Sequence, residues 1–177
     1  MPYLLDSNVF IQAKNLHYGF DFCPAFWEWW GRGNAAGTVF SIEKVHDELI
    51  DYEDELSEWA RRRSSGFFLS PGPSDLPSPA RVSSWASSQR YDPAAVGTFL
   101  QIADFYLVAQ ALSGGYTVIT HETPSSSVKK IKIPDACIGL GVKFATPYDM
   151  LRREKARFVL GHVTPTPAPP SPLSASS

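Results

Sequence analysis

Five short apolar runs constrain this chain more than any single residue does. Tyr3-Leu4-Leu5, Thr38-Val39-Phe40, Phe67-Phe68-Leu69, Thr117-Val118-Ile119-Thr120 and Val142-Lys143-Phe144-Ala145-Thr146 are too short to pack as helices and rich in β-branched or aromatic residues. Stretches with helical character separate them. Ser7 or Asn8 can cap a helix running toward Ala13. Ser41 is placed to cap another through Ile50, with Glu43 and Lys44 in its first turn and Val45 and Leu49 facing the core. Glu53 to Arg63 reads as a charged helix. The longest pattern runs from Pro93 to Leu112, with Val96, Leu100, Ala103, Leu107 and Leu112 at helical spacing and Gly114-Gly115 ending it. Strands that alternate with helices predict an α/β fold, a central parallel sheet of four to five short strands flanked by helices.

The 177 residues match a single domain. The stretch Ser70 to Pro79, with four prolines and a glycine, is expected to be a loop within it. Residues 1–160 form the expected domain. Residues 161–177, Pro- and Ser-rich, are expected to be a disordered tail that cannot bury enough apolar surface to order itself. Cys23 and Cys137 belong to no metal-binding spacing and are expected as buried thiols. No apolar run approaches a membrane span and the N-terminus has no secretory pattern, so the expected location is the cytoplasm. A formal net charge of -2 excludes global steering toward a polyanion.

Two acidic residues stand where ligands bind in such sheets, outside the carboxyl ends of the strands, and a third stands out by its apolar surroundings. Asp6 ends the first strand. Glu122 follows the strand at Thr117 to Thr120. Asp104 lies within the apolar segment Phe99 to Ala109, eleven residues into the long helix, where an unpaired carboxylate costs several kcal/mol. It requires a cation, a metal or solvent in a cleft.

Leu4-Leu5-Asp6-Ser7-Asn8-Val9-Phe10-Ile11 resembles the opening of PIN-domain ribonucleases, the fold of VapC-type toxins. Ser41-Ile42-Glu43-Lys44-Val45-His46-Asp47-Glu48-Leu49 is similar to the context of the family's second acid; Glu48 matches best, with Glu43 and Asp47 as rivals. Ala103-Asp104-Phe105-Tyr106-Leu107-Val108-Ala109 is similar to the context of the third. Thr120-His121-Glu122 stands where the fourth acid is usually an Asp in a Thr-x-Asp segment. Glu122 departs from that pattern, and Asp135 is the other claimant to the position. The His-Glu pair and the segment Lys132-Ile133-Pro134-Asp135 resemble a PIN-like subfamily of uncharacterised bacterial proteins.

The resemblance spans about residues 1–160. It implies a three-layer PIN-like fold and a metal-dependent endoribonuclease, a hydrolase of RNA phosphodiester bonds acting as the toxin of a toxin-antitoxin pair. Its expected partners are RNA, a cognate antitoxin protein and a second copy in a homodimer, with no membrane. Asp6, Glu48, Asp104 and Glu122 are then the expected catalytic residues, with Asp6, Asp104 and Glu122 as metal ligands. Ser7, Asn8, Thr120 and Asp135 support them. Crowded carboxylates without His or Cys favour Mg²⁺ or Mn²⁺. Such an ion, or a pair about 4 Å apart, activates water and clamps phosphoryl oxygens.

Charge along the chain is polarised. Eight basic and three acidic residues lie between Lys129 and Arg157, against eight acidic and one basic from Glu43 to Glu58. Lys129, Lys130 and Lys132 are the expected RNA-binding residues. The aromatic residues Phe22, Phe26, Trp27, Trp29 and Trp30 crowd a short helix and suit core packing or an interface. Two other readings stand beside the nuclease. A non-catalytic PIN-like binding module would account for Glu122. A haloacid-dehalogenase-like phosphatase also starts from a strand-end Asp, but it wants a second Asp where this chain has Asn8.

Overall fold

The computed structural model describes residues 1–63, 66–159 and 161; the expected tail lies outside them apart from residue 161. The apolar runs form strands of two to four residues: β1 (Tyr3–Leu5), β2 (Val39–Ile42), β3 (Phe68–Leu69), β4 (Thr117–Ile119) and β5 (Lys143–Ala145). They make one parallel sheet in the order β3-β2-β1-β4-β5. The register pairs Tyr3 with both Val39 and Thr117, so the carboxyl ends of β1, β2 and β4 lie level. Strands β1 and β4 are wholly buried, as central strands covered on both faces must be. The architecture is α/β with a five-stranded all-parallel sheet flanked by helices, consistent with the three layers of a PIN-like fold.

Between β1 and β2 lie α1 (Ser7–Gln12), a π-helical turn (Ala13–His17) and α2 (Pro24–Ala35). Helices α3 (Glu43–Ile50) and α4 (Glu55–Arg61) precede β3. Then come α5 (Pro77–Ser88), α6 (Pro93–Phe99) and α7 (Ala103–Gly114), with α8 (Ile133–Leu140) before β5 and α9 (Pro147–Arg153) after it. One hydrophobic cluster runs from Tyr3 to Leu151, with Phe158 packed against it. Its densest part is aromatic. Phe26, Trp27 and Trp30 of α2 are buried, with ring centres 4.9 Å apart for Phe10–Trp30 and 4.4 Å for Phe26–Trp30. Each such burial contributes roughly 1.5–3 kcal/mol. The aromatic run is therefore mostly core; Phe22, which precedes α2, is 68% exposed.

Several expectations need correction: Ser7 and Asn8 lie inside α1, and Asp6 stands at its N-cap position. The long helix is two: α6 and α7 meet at 70°. Leu100 is still helical, but Ile102 is extended (φ -102°, ψ 166°). A continuous helix would have set the Asp104 carboxylate in mid-helix among apolar neighbours; the break instead starts a new helix whose first turn contains it. Ser41 does not cap α3. It is the buried third residue of β2, and its hydroxyl donates to the Leu5 carbonyl at 2.6 Å. The proline-rich loop ends early, because Pro77 and Pro79 suit the first turn of α5, where their missing amides cost nothing. Cys137 is buried as expected, whereas Cys23 is half-buried. Among the described residues no single helix is long and apolar enough to cross a membrane.

Candidate functional site

The chain leaves β1 outward to β2 and β3, then returns past β1 to β4. The order therefore reverses beside β1, the place where parallel sheets open a crevice at their carboxyl ends. Asp6 stands there. The residue is 1% exposed, and its backbone joins the sheet by donating to the Ile119 carbonyl at 3.0 Å. The Thr120 hydroxyl donates to one carboxylate oxygen at 3.0 Å and Ser7 reaches the other at 3.4 Å. The same Thr120 oxygen accepts the Glu122 amide at 3.1 Å, so one buried hydroxyl links the first acid to the loop bearing the last.

Asp104 comes to the crevice from the first turn of α7, where the helix dipole favours negative charge. Glu48 comes from the half-buried side of α3. It lines a cleft of about 330 Å³ with Ser7, Asn8, Ile11, Asp51 and Tyr52. Its rivals point away: Glu43 and Asp47 are exposed, and Asp47 lies 3.8 Å from Lys44.

Asp6 and Asp104 both feel the charges of Glu48 and Glu122. Burial pushes Asp6 up to about 6. Thr120 pulls it back and the charge of Glu122 pushes it further, followed by a lowering from the Asn8 backbone amide and a push from Glu48. Burial likewise pushes Asp104 up to about 7, reinforced by Asp6, Glu122 and Glu48 and opposed by Lys130. Two carboxyls displaced by burial and by neighbouring negative charge, in a crevice, are the pattern of a functional site. The donor chemistry, oxygen alone, fits a hard divalent ion. Among the described residues, no three His, Cys, Asp or Glu side chains already form a cage for one.

Glu122 explains part of that openness. Its side chain is 14% exposed and both oxygens are engaged, one by the Ile133 amide at 2.9 Å and one by Lys130 Nζ at 3.2 Å. Asp135 is elsewhere. One of its oxygens accepts the Ser125 amide at 3.0 Å, the other is buried without a partner among the described residues, and its charge acts on Tyr91. Of the two claimants, Glu122 is the one whose charge reaches Asp6 and Asp104. Lys129 and Lys130 are exposed near the crevice, while Lys132 is half-buried at the start of α8.

Sequence reading missed a second group on this edge. His17 from the π-helical turn, His121 after β4 and Tyr148 of α9 have ring centres within 6 Å of one another, and Tyr148 Oη lies 3.1 Å from His17 Nε2. Burial, then the charge of His17, lowers the His121 pKa. Three separate elements supply this group, so no local spacing announces it. Asp51 and Tyr52 were missed for a simpler reason: they lie just past the end of α3, outside any periodic pattern.

Comparison with known proteins gives no match among curated proteins and none among solved structures. One family model matches residues 3–158, nearly all of the sheet and its helices, and the chain belongs to that family, described as a domain of unknown function (DUF4411).

Proposed function

We propose that the protein is a Mg²⁺- or Mn²⁺-dependent endoribonuclease that hydrolyses RNA phosphodiester bonds, the cytoplasmic toxin of a toxin-antitoxin pair. One observation carries the hydrolase reading: at the carboxyl edge of the sheet, Asp6 after β1 and Asp104 of α7 are pushed up to about 6 and 7 by burial and by the charges of Glu48 from α3 and Glu122 from the loop after β4. Asp6, Asp104 and Glu122 are the residues that would hold the ion, with Glu48 completing the negative pocket. Bound there, a divalent ion supplies an activated water and neutralises charge on the phosphoryl oxygens. The chain's own residues do the rest. Ser7 and Thr120 fix Asp6 in one orientation. The N-terminal turn of α7 presents Asp104, and Lys129 and Lys130 attract the phosphate backbone. The antitoxin, the homodimer and the toxin role follow from the resemblance to VapC-type proteins.

The test is cleavage of a mixed single-stranded RNA with Mn²⁺ or Mg²⁺, using EDTA and the folded Asp6→Asn and Asp104→Asn variants as controls. Turnover that needs the metal and disappears in both variants supports the reading. Turnover retained by both overturns it. A non-catalytic binding module is the second reading, favoured by the engagement of both Glu122 oxygens with Lys130 and Ile133. It requires RNA binding without metal-dependent turnover under the same conditions.

A further inference from the structure

Beside the carboxylates lies a groove of about 300 Å³ whose apolar floor the nuclease reading does not use. Its lining is Ala94, Ala95, Thr98 and Phe99 of α6, Ile102 at the corner before α7, and Lys129, Lys130 and Ile131 from the opposite loop. Ala95, Phe99 and Ile131 are buried and make an apolar floor; Ala94, Thr98 and the two lysines are exposed and make the rim. Among the described residues no carboxylate lines it. A polar rim of one sign around an apolar floor selects a ligand with an apolar face and negative charge at its edge.

One contact and one shared backbone corner join this groove to the acidic crevice. Lys130 lines the groove, yet its ammonium lies 3.2 Å from Glu122 and its charge is felt by Asp104. Ile102 forms a wall of the groove and stands two residues before Asp104. An occupant on the floor thus has its charged edge at Lys130, on the side facing the acids. The volume is at the lower end for ligand sites and suits one base with its sugar, not a helix of a partner protein.

We propose that this groove seats one nucleotide of single-stranded RNA, its base on the Ala95–Phe99–Ile131 floor and its phosphate on Lys130 and Lys129, next to the phosphate at the carboxylates. The proposal rests on the reading of the site as one that acts on RNA. It adds that recognition is through an unpaired base, because a base held in a duplex cannot leave its stack to enter without the cost of unpairing. Lys130 exchanges Glu122 for the phosphate when the strand is seated.

Binding without turnover tests this. A fluorescein-labelled eight-residue RNA of mixed sequence and an abasic oligomer of the same length and charge are titrated with the full chain in EDTA and followed by anisotropy. Wild type is expected to bind the base-bearing strand at least tenfold more tightly. Filling the groove from its exposed rim with Ala94→Leu and Thr98→Leu abolishes that preference and leaves the abasic affinity unchanged. Lys130→Ala weakens both probes and flattens the salt dependence. Equal affinity of wild type for the two probes overturns the proposal, as does an unchanged preference in the filled variant, whose fold is checked by circular dichroism. A base preference that the groove variants abolish, in a protein that never cleaves, sinks the nuclease reading and keeps the groove. Metal-dependent cleavage by a protein without the preference does the reverse.

Discussion

Replacing Asp104 by Asn isolates the electrostatic strain of the crevice. The variant keeps the shape of the side chain and removes the charge that burial, Asp6, Glu122 and Glu48 oppose. No hydrogen bond ties the Asp104 side chain to a described residue, so none is broken. Its folded pKa is raised from 3.8 to about 7. The stability this group contributes is therefore fully present below pH 4 and is lost as pH rises toward and through 7. A displacement of about three pH units corresponds to ~4 kcal/mol at 1.36 kcal/mol each. Asp104 is only partly buried, so solvent screening reduces the expected effect to roughly 2 kcal/mol. Urea denaturation in EDTA measures it at intervals from pH 4 to 8.5. Wild type and Asp104→Asn should coincide at the acid end. The variant should be the more stable by roughly 2 kcal/mol at pH 8, while Glu43→Gln, an exposed control on α3, changes little. A variant that is no more stable than wild type at pH 8 refutes the claim that the crevice strains its acids.

Mg²⁺ or Mn²⁺ should raise the melting temperature of wild type at pH 8 and leave Asp6→Asn and Asp104→Asn unmoved, read by differential scanning fluorimetry. Ser41→Ala should cost about 1–3 kcal/mol in urea unfolding, because it strips the buried Leu5 carbonyl of the hydroxyl that reaches it. Asp54→Ala should cost about 1 kcal/mol by the same measurement, since the Asp54 side chain accepts the Ser57 amide in the capping box of α4. In a thiol titration of the native protein, half-buried Cys23 should react while Cys137, buried and with its thiol pushed up to about 12, stays inert until denaturant is added.

The sheet was readable because its strands are short, apolar and separated by helices, a pattern that only a covered parallel sheet satisfies. Asp6 was readable for the same reason: a charge that ends a buried strand marks the sheet's carboxyl edge. Glu48 needed three dimensions to separate it from Glu43 and Asp47, because one helical turn contains candidates on several faces. The break before Ala103 escaped notice since hydrophobic spacing continues across it; Val96, Leu100, Ala103 and Leu107 fit a single helix as well as two. What decides the matter is the unfavourable burial of Asp104 in mid-helix, a tertiary cost that periodicity does not register. The short helices α8 and α9, each with a proline in its first turn, are too brief for apolar spacing to single them out. The group of His17, His121 and Tyr148 has no local signal at all.

The Thr120 hydroxyl donates a hydrogen bond to Asp6 and accepts one from the Glu122 amide. That arrangement makes the loop behind β4 a lever: tilting its first residues cannot leave the neighbouring strand's acid undisturbed. Valine at this position would preserve the bulk yet remove the side-chain link, leaving the Asp6 amide on the Ile119 carbonyl as the remaining tie between the two strand tips.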